Sequence, residues 1–229
     1  MLLYIVKGGP VMIPIILGSI LGLAIIIDKM WMFYAMRMDT QGFMGDLLAL
    51  VRCGKFHAAL ELCEQHQHNP VAVTLKAGIE KRSLPMPELE KVLERAGNGQ
   101  VKHLERYTGG LISIIGIEPL LGFLGTITGL IKAFMAWERA GSSVTVSSLA
   151  AGMYEAMITT AAGLIVAVPY YLICNFIISR IKYISYELSD SSMRLVEALS
   201  EVERLHSAAG NSNVKYEARN PKYETNPKS

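Results

Sequence analysis

The sequence predicts an all-α membrane protein: three transmembrane helices with long helices extending into the cytoplasm. Of its 229 residues, 51% are hydrophobic and only 18% are charged, which is too apolar for a soluble domain of this length. Three long apolar runs are each long enough to cross a bilayer as a helix. The Lys and Arg residues cluster between the first and second runs and after the third, as they do on the cytoplasmic side of membrane proteins.

The first apolar run, from Val11 to Ile27, contains no charged residue and continues through Tyr34. It is too long for the apolar region of a signal peptide, and Asp28-Lys29-Met30 is not a small-residue cleavage site. We therefore expect residues 1–36 to form an uncleaved first transmembrane helix.

The second and third runs extend from Leu111 to Trp137 and from Leu149 to Ile178. A short connection, Arg139 to Ser148, joins them. Residues 109–179 are therefore predicted to form a transmembrane hairpin.

The basic residues set the predicted orientation. Ten Lys and Arg residues lie between Arg37 and Arg106 and eight from Arg180 onward, whereas the first ten residues hold only Lys7 and the hairpin connection only Arg139. Basic segments near span ends stay in the cytoplasm. The prediction is an external amino terminus and a cytoplasmic carboxyl terminus.

Residues 37–108 are predicted to be a cytoplasmic helical insertion. Asp39-Thr40 opens a first helix that Gly54 ends, a second runs from Phe56 to the break at Asn69-Pro70, and a charged third begins at Glu88 after two prolines. Residues 180–209 continue the third membrane helix by the spacing of their leucines, and the polar residues 210–229 are predicted to be disordered.

The sequence lacks the residues that several classes of protein would require. The 22 basic and 20 acidic residues give no charge excess for nucleic acid, and three cysteines make no disulfide framework. Cys63, His66 and His68 cluster without a fourth ligand, so we interpret them as solvated side chains and expect no metal or other cofactor. Phosphate-binding loops, nucleophile elbows and helical zinc-protease pairs are absent from the sequence, so no enzyme is predicted.

Three ionisable residues lie inside the second and third runs: Glu118, Lys132 and Glu155. A charge at the centre of a bilayer costs about 2.5 to 3.5 kcal/mol on insertion scales, so each is a candidate functional residue. Glu155 is the strongest candidate because a buried carboxyl can bind and release a proton. The alternative is a glutamate that faces water at the outer interface. Lys132, near the outer end of its span, is interpreted as an anchor whose long side chain reaches the interface.

Small and hydroxyl residues accompany the charges. On a helical wheel Thr159 lies about 40° from Glu155, whereas Thr160 lies about 140° away. One face of the second span carries the helix-packing candidates Gly122, Gly125 and Gly129, with Thr126 at its border. On the third span one small, polar stripe is formed by Ser148, Gly152, Glu155, Thr159 and Ala162. It could line a narrow wet path, but we favour close helix packing as its explanation.

Two segments, Pro119 to Phe134 (PLLGFLGTITGLIKAF) and Gly152 to Pro169 (GMYEAMITTAAGLIVAVP), resemble the ExbB/TolQ/MotA proton-channel family. The three-span plan, the external amino terminus and the long insertion fit the ExbB/TolQ branch better than the four-span flagellar stators.

The resemblance implies a pentameric ring in the bacterial inner membrane that encloses the single-span helices of an ExbD/TolR-like partner pair. It also implies that the proton motive force drives work on a TonB- or TolA-like load. The pore-lining positions of the family fall on Glu155, Thr126 and Thr160. We rank Thr160 above Thr159, although the wheel favours Thr159. The choice of H⁺ over Na⁺ also rests on the resemblance.

Glu118 departs from the family pattern, which has a small residue before the motif proline. It could be a second proton site on the ion pathway, or it could pair with a Lys of a neighbouring subunit. Two alternatives to a channel subunit stay open: a non-conducting scaffold that recruits partners, and a solute transporter, which the lack of an inverted repeat disfavours.

Overall fold

The computed structural model describes residues 7–36, 39–141 and 146–219, and all regular secondary structure in these ranges is helical. We number the principal helices in chain order: α1 (Met12–Ala35), α2 (Thr40–Arg52), α3 (Phe56–Gln65), α4 (Pro70–Glu80), α5 (Met86–Glu105), α6 (Thr108–Ala140) and α7 (Val146–Arg219). Three stretches of the described residues are long and apolar enough to cross a membrane: Met12–Ala35, Met86–Arg139 and Leu149–Arg204. The prediction of an all-α membrane protein with three apolar spans is confirmed.

The chain divides into two compact units. The membrane unit comprises Met1–Ala35 and Lys102–Tyr183, and the insertion unit comprises Met36–Val101 and Ile184–Ser229. Helix α7 contributes residues to both.

In the membrane unit, α1 packs on α6 and α7 through small residues. A Cβ at Gly22 would lie 2.5 Å from the Tyr170 ring, so the ring reaches the α1 backbone. The Tyr170 hydroxyl donates a 2.7 Å hydrogen bond to the Ser19 carbonyl oxygen. Many large apolar side chains point outward instead, such as Leu172, which is 64% exposed. An apolar exterior suits a hydrocarbon surrounding.

Helices α5 and α6 are separated at Tyr107, whose backbone adopts the left-handed conformation. Tyr107 has φ 64°, a conformation that non-glycine residues adopt infrequently. The charged helix predicted to lead into the second span therefore ends at Glu105, and α6 starts anew at Thr108. Helix α6 then continues through Pro119, although that ring removes one internal hydrogen bond.

In the insertion unit, the predicted start and end of α2 are both confirmed. The Asp39 side chain accepts hydrogen bonds from the backbone N–H groups of Gln41 and Gly42. Helix α2 ends at Arg52, and Gly54 follows with φ 71°, which glycine adopts without steric cost. Its apolar face is buried, with Leu47 and Val51 fully inaccessible.

Two features of this unit differ from the sequence expectation. Helix α4 was not predicted, because Asn69-Pro70 was interpreted only as a break. It is also a helix start: the Asn69 side chain accepts a hydrogen bond from the Val71 N–H at 2.8 Å, and Pro70 occupies the first helical position.

Helix α7 continues to Arg219, so residues 210–219 are helical rather than disordered. Extending a formed helix adds one hydrogen bond per residue without a new nucleus. The rest of the predicted disordered tail, 220–229, lies outside the described residues.

We predict that Asn69→Ala destabilises the insertion unit by about 1 to 2 kcal/mol, because it removes a helix cap and a second bond. The Asn69 amide also donates to the Met36 carbonyl oxygen at 3.3 Å. Thermal unfolding of the purified protein, with hydrogen exchange at the first turn of α4, measures the effect. Asp46→Ala, an exposed change on α2, is the control, and an equal loss in both variants would contradict the assignment.

Candidate ion site between the second and third membrane helices

Helices α6 and α7 touch backbone to backbone. A Cβ built at Gly129 would lie 2.6 Å from the Gly152 carbonyl oxygen and 2.8 Å from the Ala156 nitrogen. At Gly122 it would lie 3.1 Å from the Thr160 Cα, and at Gly163 it would lie 2.6 Å from the Glu118 carbonyl oxygen. Because backbone atoms cannot rotate away, a Cβ at Gly129 or Gly163 would force the helices apart, and one at Gly122 would make an unusually tight contact.

The strongest candidate residue, Glu155, is buried in this region and has a charged partner. It is 9% exposed, and the Lys132 ammonium donates to its Oε1 at 2.5 Å. The sequence patterns identified Lys132 only as an interfacial anchor and placed no basic residue beside Glu155. A signal for the pair exists: residues 132 and 155 are equally distant from the hairpin connection, so antiparallel helices bring them to the same level.

The turn before α1 covers the carboxylate from a third side. Gly9 has φ 69°, and a Cβ there would collide with the Glu155 carboxylate. A Cβ at the preceding Gly8 would lie 3.3 Å from Ile158 on α7. Glu155 is therefore enclosed by α6, its own helix and the Gly8-Gly9 turn. The role of these two glycines was not predicted from the sequence.

The two partners of the ion pair differ in their access to solvent. The side chain of Lys132 is 50% exposed, whereas that of Glu155 is 11% exposed. Removing one member of a poorly solvated pair leaves the other charge uncompensated. The long lysine side chain can carry its charge toward water, but the shorter buried carboxylate depends on its partner.

The three candidate threonines occupy different surroundings. Thr159, fully buried, lies one turn from Glu155, and its hydroxyl is 3.0 Å from both the Glu155 and Ala156 carbonyl oxygens. Thr160 is half-buried, and its hydroxyl lies 3.1 Å from the Gly122 carbonyl oxygen across the helix contact and equally far from that of Ala156. Thr126 donates at 2.6 Å to Phe123 O on its own helix. The structure thus places Thr159 and Thr160 beside the contact and leaves Thr126 at its border.

Gly125 explains why Thr159 is so deeply buried. A Cβ at Gly125 would collide with the Thr159 hydroxyl and lie 2.9 Å from its methyl carbon. The side chain therefore fills the space that the absent Cβ leaves. The wheel correctly places Thr159 on the Glu155 face, but its hydroxyl lies inside a packed contact.

Glu118 is separate from the ion pair. It is 1% exposed and its carboxylate faces Gly18 of α1. Among the described residues its Oε2 has no hydrogen-bond partner. Its backbone lies against Gly163, eight residues beyond Glu155 and so about 12 Å along the α7 axis. Thr159 and Thr160 lie at intermediate levels.

The prediction that Cys63, His66 and His68 are all solvated side chains is wrong for Cys63, which is 1% exposed because it lies on the packed face of α3. Burial raises the pKa of the Cys63 thiol to about 11, which disfavours the thiolate that a metal requires. The His66 Nδ1 lies 3.0 Å from the Leu62 carbonyl oxygen, within donating distance. In the described part of the chain, no group of three His, Cys, Asp or Glu side chains is placed to hold a metal ion.

Comparison with known proteins places this site in a recognised sequence family. Residues 66–190 match the model of the MotA/TolQ/ExbB proton channel family. The putative biopolymer transport protein ExbB-like 1 of Synechocystis sp. is 34% identical over 177 residues, which cover 76% of this chain and 68% of that protein. ExbB-like 3 of the same organism is 28% identical over 73% of this chain and 80% of its own length. The Tol-Pal system protein TolQ of Haemophilus influenzae is 31% identical over 42% of each chain.

We predict that Gly129→Ala destabilises the membrane unit by roughly 1 to 3 kcal/mol, because the new methyl group overlaps the α7 backbone. The control is Gly116→Ala on the same helix, where a Cβ meets nothing within 4 Å. That change is expected to be neutral or slightly stabilising, since alanine favours helix. Thermal unfolding in detergent compares them, and equal stabilities would show that the close contact does not matter.

Proposed function

Because this chain belongs to the MotA/TolQ/ExbB proton channel family, we propose that it is a proton-conducting subunit that uses the proton motive force to energise biopolymer transport or other envelope work. It is a multi-pass membrane protein. We place it in the bacterial inner membrane with its amino terminus in the periplasm, since the Lys and Arg residues favour that orientation. Its role is not enzymatic, and it needs no cofactor beyond the translocated ion.

One observation carries the proposal: the buried Glu155 carboxylate is paired with Lys132 between two apolar helices. Protonation of Glu155 removes its charge and with it most of the attraction that holds Lys132. The half-exposed lysine then moves toward water, and loss of the proton restores the pair. Proton binding thereby weakens, and proton release restores, the Lys132–Glu155 attraction between α6 and α7.

The hydroxyls and the second carboxyl extend the proposed ion pathway. Thr160 is our preferred pathway hydroxyl because it is half-buried and bridges the two helices, whereas Thr159 is fully buried in packing. Thr126, half-exposed on α6, is the matching position on the second span. Glu118, deeper along the hairpin, would be a second proton-binding group. Its burial against α1 makes pairing with a neighbouring subunit the weaker interpretation.

The assembly we propose is a pentameric ring around an ExbD/TolR-like single-span partner, coupled to a TonB- or TolA-like load. Support comes from the likeness to ExbB-like and TolQ proteins. Large apolar side chains on α6 and α7 are also available for neighbouring helices or lipid: Leu120 is 67% and Ile165 72% exposed. The partner and load determine which envelope process is driven.

The second candidate is a non-conducting scaffold in which the hairpin only packs and the insertion helices recruit partners. The glycine contact between α6 and α7 favours it, since that contact by itself accounts for Gly152 and for the burial of Thr159. A scaffold does not account for the burial of Glu155. Conduction measurements separate the two candidates.

We predict that Glu155→Gln reduces H⁺ flux to background, because the amide cannot take up a proton. The measurement uses the chain reconstituted in liposomes with its single-span partner, under separate H⁺ and Na⁺ gradients. Glu138→Gln, an exposed carboxyl near the end of α6, is the matched control and should conduct like the parent. Unaltered flux in Glu155→Gln would exclude Glu155 as the proton-carrying residue, whereas absence of flux in both the parent and the variant, with an intact ring, would favour the scaffold.

Exchanging Lys132 and Glu155 separates the structural role of the ion pair from the proton-carrying role of Glu155. Lys132→Gln alone should cost roughly 1 to 3 kcal/mol, between the values for exposed and buried pairs. Combining Lys132→Glu with Glu155→Lys should recover most of this stability but no flux, since the buried carboxyl is gone. Thermal unfolding and liposome flux are measured on the same preparations. Recovery of flux by the exchange would refute the role of Glu155.

A further inference from the structure

A cavity of about 350 Å³ lies in the membrane unit, between the last turns of α1 and the junction of α5 with α6. Its lining includes three basic side chains, two aromatic rings and one carboxylate: Lys29, His103, Arg106, Trp31, Tyr107 and Asp28. The proposed ion pathway uses none of these residues. The volume is at the lower end of the range for ligand pockets.

The cavity lies at the depth where a membrane changes from hydrocarbon to headgroups. The uncharged run of α1 ends at Asp28, and the rings beyond it face outward: Trp31 is 74% and Tyr107 53% exposed. Trp and Tyr are enriched at this level because their rings are apolar and their polar tips need water.

Lys29 brings a buried positive charge to the cavity. The residue is 1% exposed, and its ammonium donates to the Leu104 carbonyl oxygen at 2.7 Å. That carbonyl belongs to the last turn of α5, so Lys29 also caps the negative end of a helix. An ammonium has three donors, and this bond uses one. Among the residues described, no carboxylate lies within ion-pair distance of Lys29.

Capping explains Lys29 but not the other basic groups. The Arg106 guanidinium lies 4.6 Å from the centre of the Tyr107 ring, which holds it at the rim by a cation–π contact. Its planar fork of donors matches the oxygens of a phosphate. With His103 on the same wall, the basic groups outnumber the single carboxylate of Asp28.

We propose that this cavity binds the phosphate group of an anionic phospholipid. Positive charge, aromatic rings and headgroup depth coincide here, and basic pockets between membrane helices bind such headgroups. The inference goes beyond the proposed function, because headgroup binding requires neither conduction nor a partner protein.

The test measures binding of dioleoyl phosphatidylglycerol to the purified full-length assembly by native mass spectrometry, with dioleoyl phosphatidylcholine as the neutral comparison. Arg106→Gln should weaken phosphatidylglycerol binding about fivefold, the factor for one basic side chain near an anionic lipid surface. The control is Lys91→Gln, an exposed basic side chain of the insertion unit that lies outside the cavity lining and whose loss should leave the affinity unchanged.

Three outcomes would overturn the proposal: equal weakening by both variants, binding of phosphatidylcholine as tight as that of phosphatidylglycerol, or full displacement of the lipid by inorganic phosphate, which would indicate a free-phosphate site. His103→Gln is the second variant if Arg106→Gln does not assemble, and it too should weaken phosphatidylglycerol binding. Because the readout is bound lipid and not ion flux, its failure leaves the proposed function intact, and the reverse also holds.

Discussion

The backbone contact between α6 and α7 is the constraint on which the membrane unit depends. Surrounding lipid is as apolar as the helices themselves, so burial of apolar surface does little to hold them together and close packing must do so. Gly129 and Gly152 supply that packing. By fixing the two helices at one separation and register, the contact also decides which polar side chains can meet.

The charged groups are tolerable only because of that geometry. Glu155 and Lys132 would each be costly alone in hydrocarbon, but the register places them within 2.5 Å of one another. Glu118 has no such partner within the described residues, and it is almost completely buried. The hairpin therefore holds one carboxyl that is stabilised by a counter-charge and one that is not.

The spans, the hairpin and helix α2 could be predicted from the sequence because each depends on local signals: apolar length, helical spacing and caps. The Lys132–Glu155 pair could not be read from one helix at a time, because it arises when two antiparallel helices are aligned. The turn at Gly9 and the left-handed Tyr107 could not be predicted either, since their conformations follow from what packs against them. The signal for the start of α4 is present in the sequence, but Asn69-Pro70 is compatible both with the end of one helix and with the beginning of the next.

The backbone contact also limits how the two helices can respond to an ion. Where side chains interdigitate, a change of rotamer can absorb a new charge state locally. Gly129 and Gly152 have no rotamers, so the helices at this point can only slide along one another or separate as rigid rods. Shear of this kind transmits a small displacement along the whole length of a helix, and α7 is 74 residues long. A change in protonation at Glu155 would therefore produce an axial shift of α7 at positions far from that carboxyl.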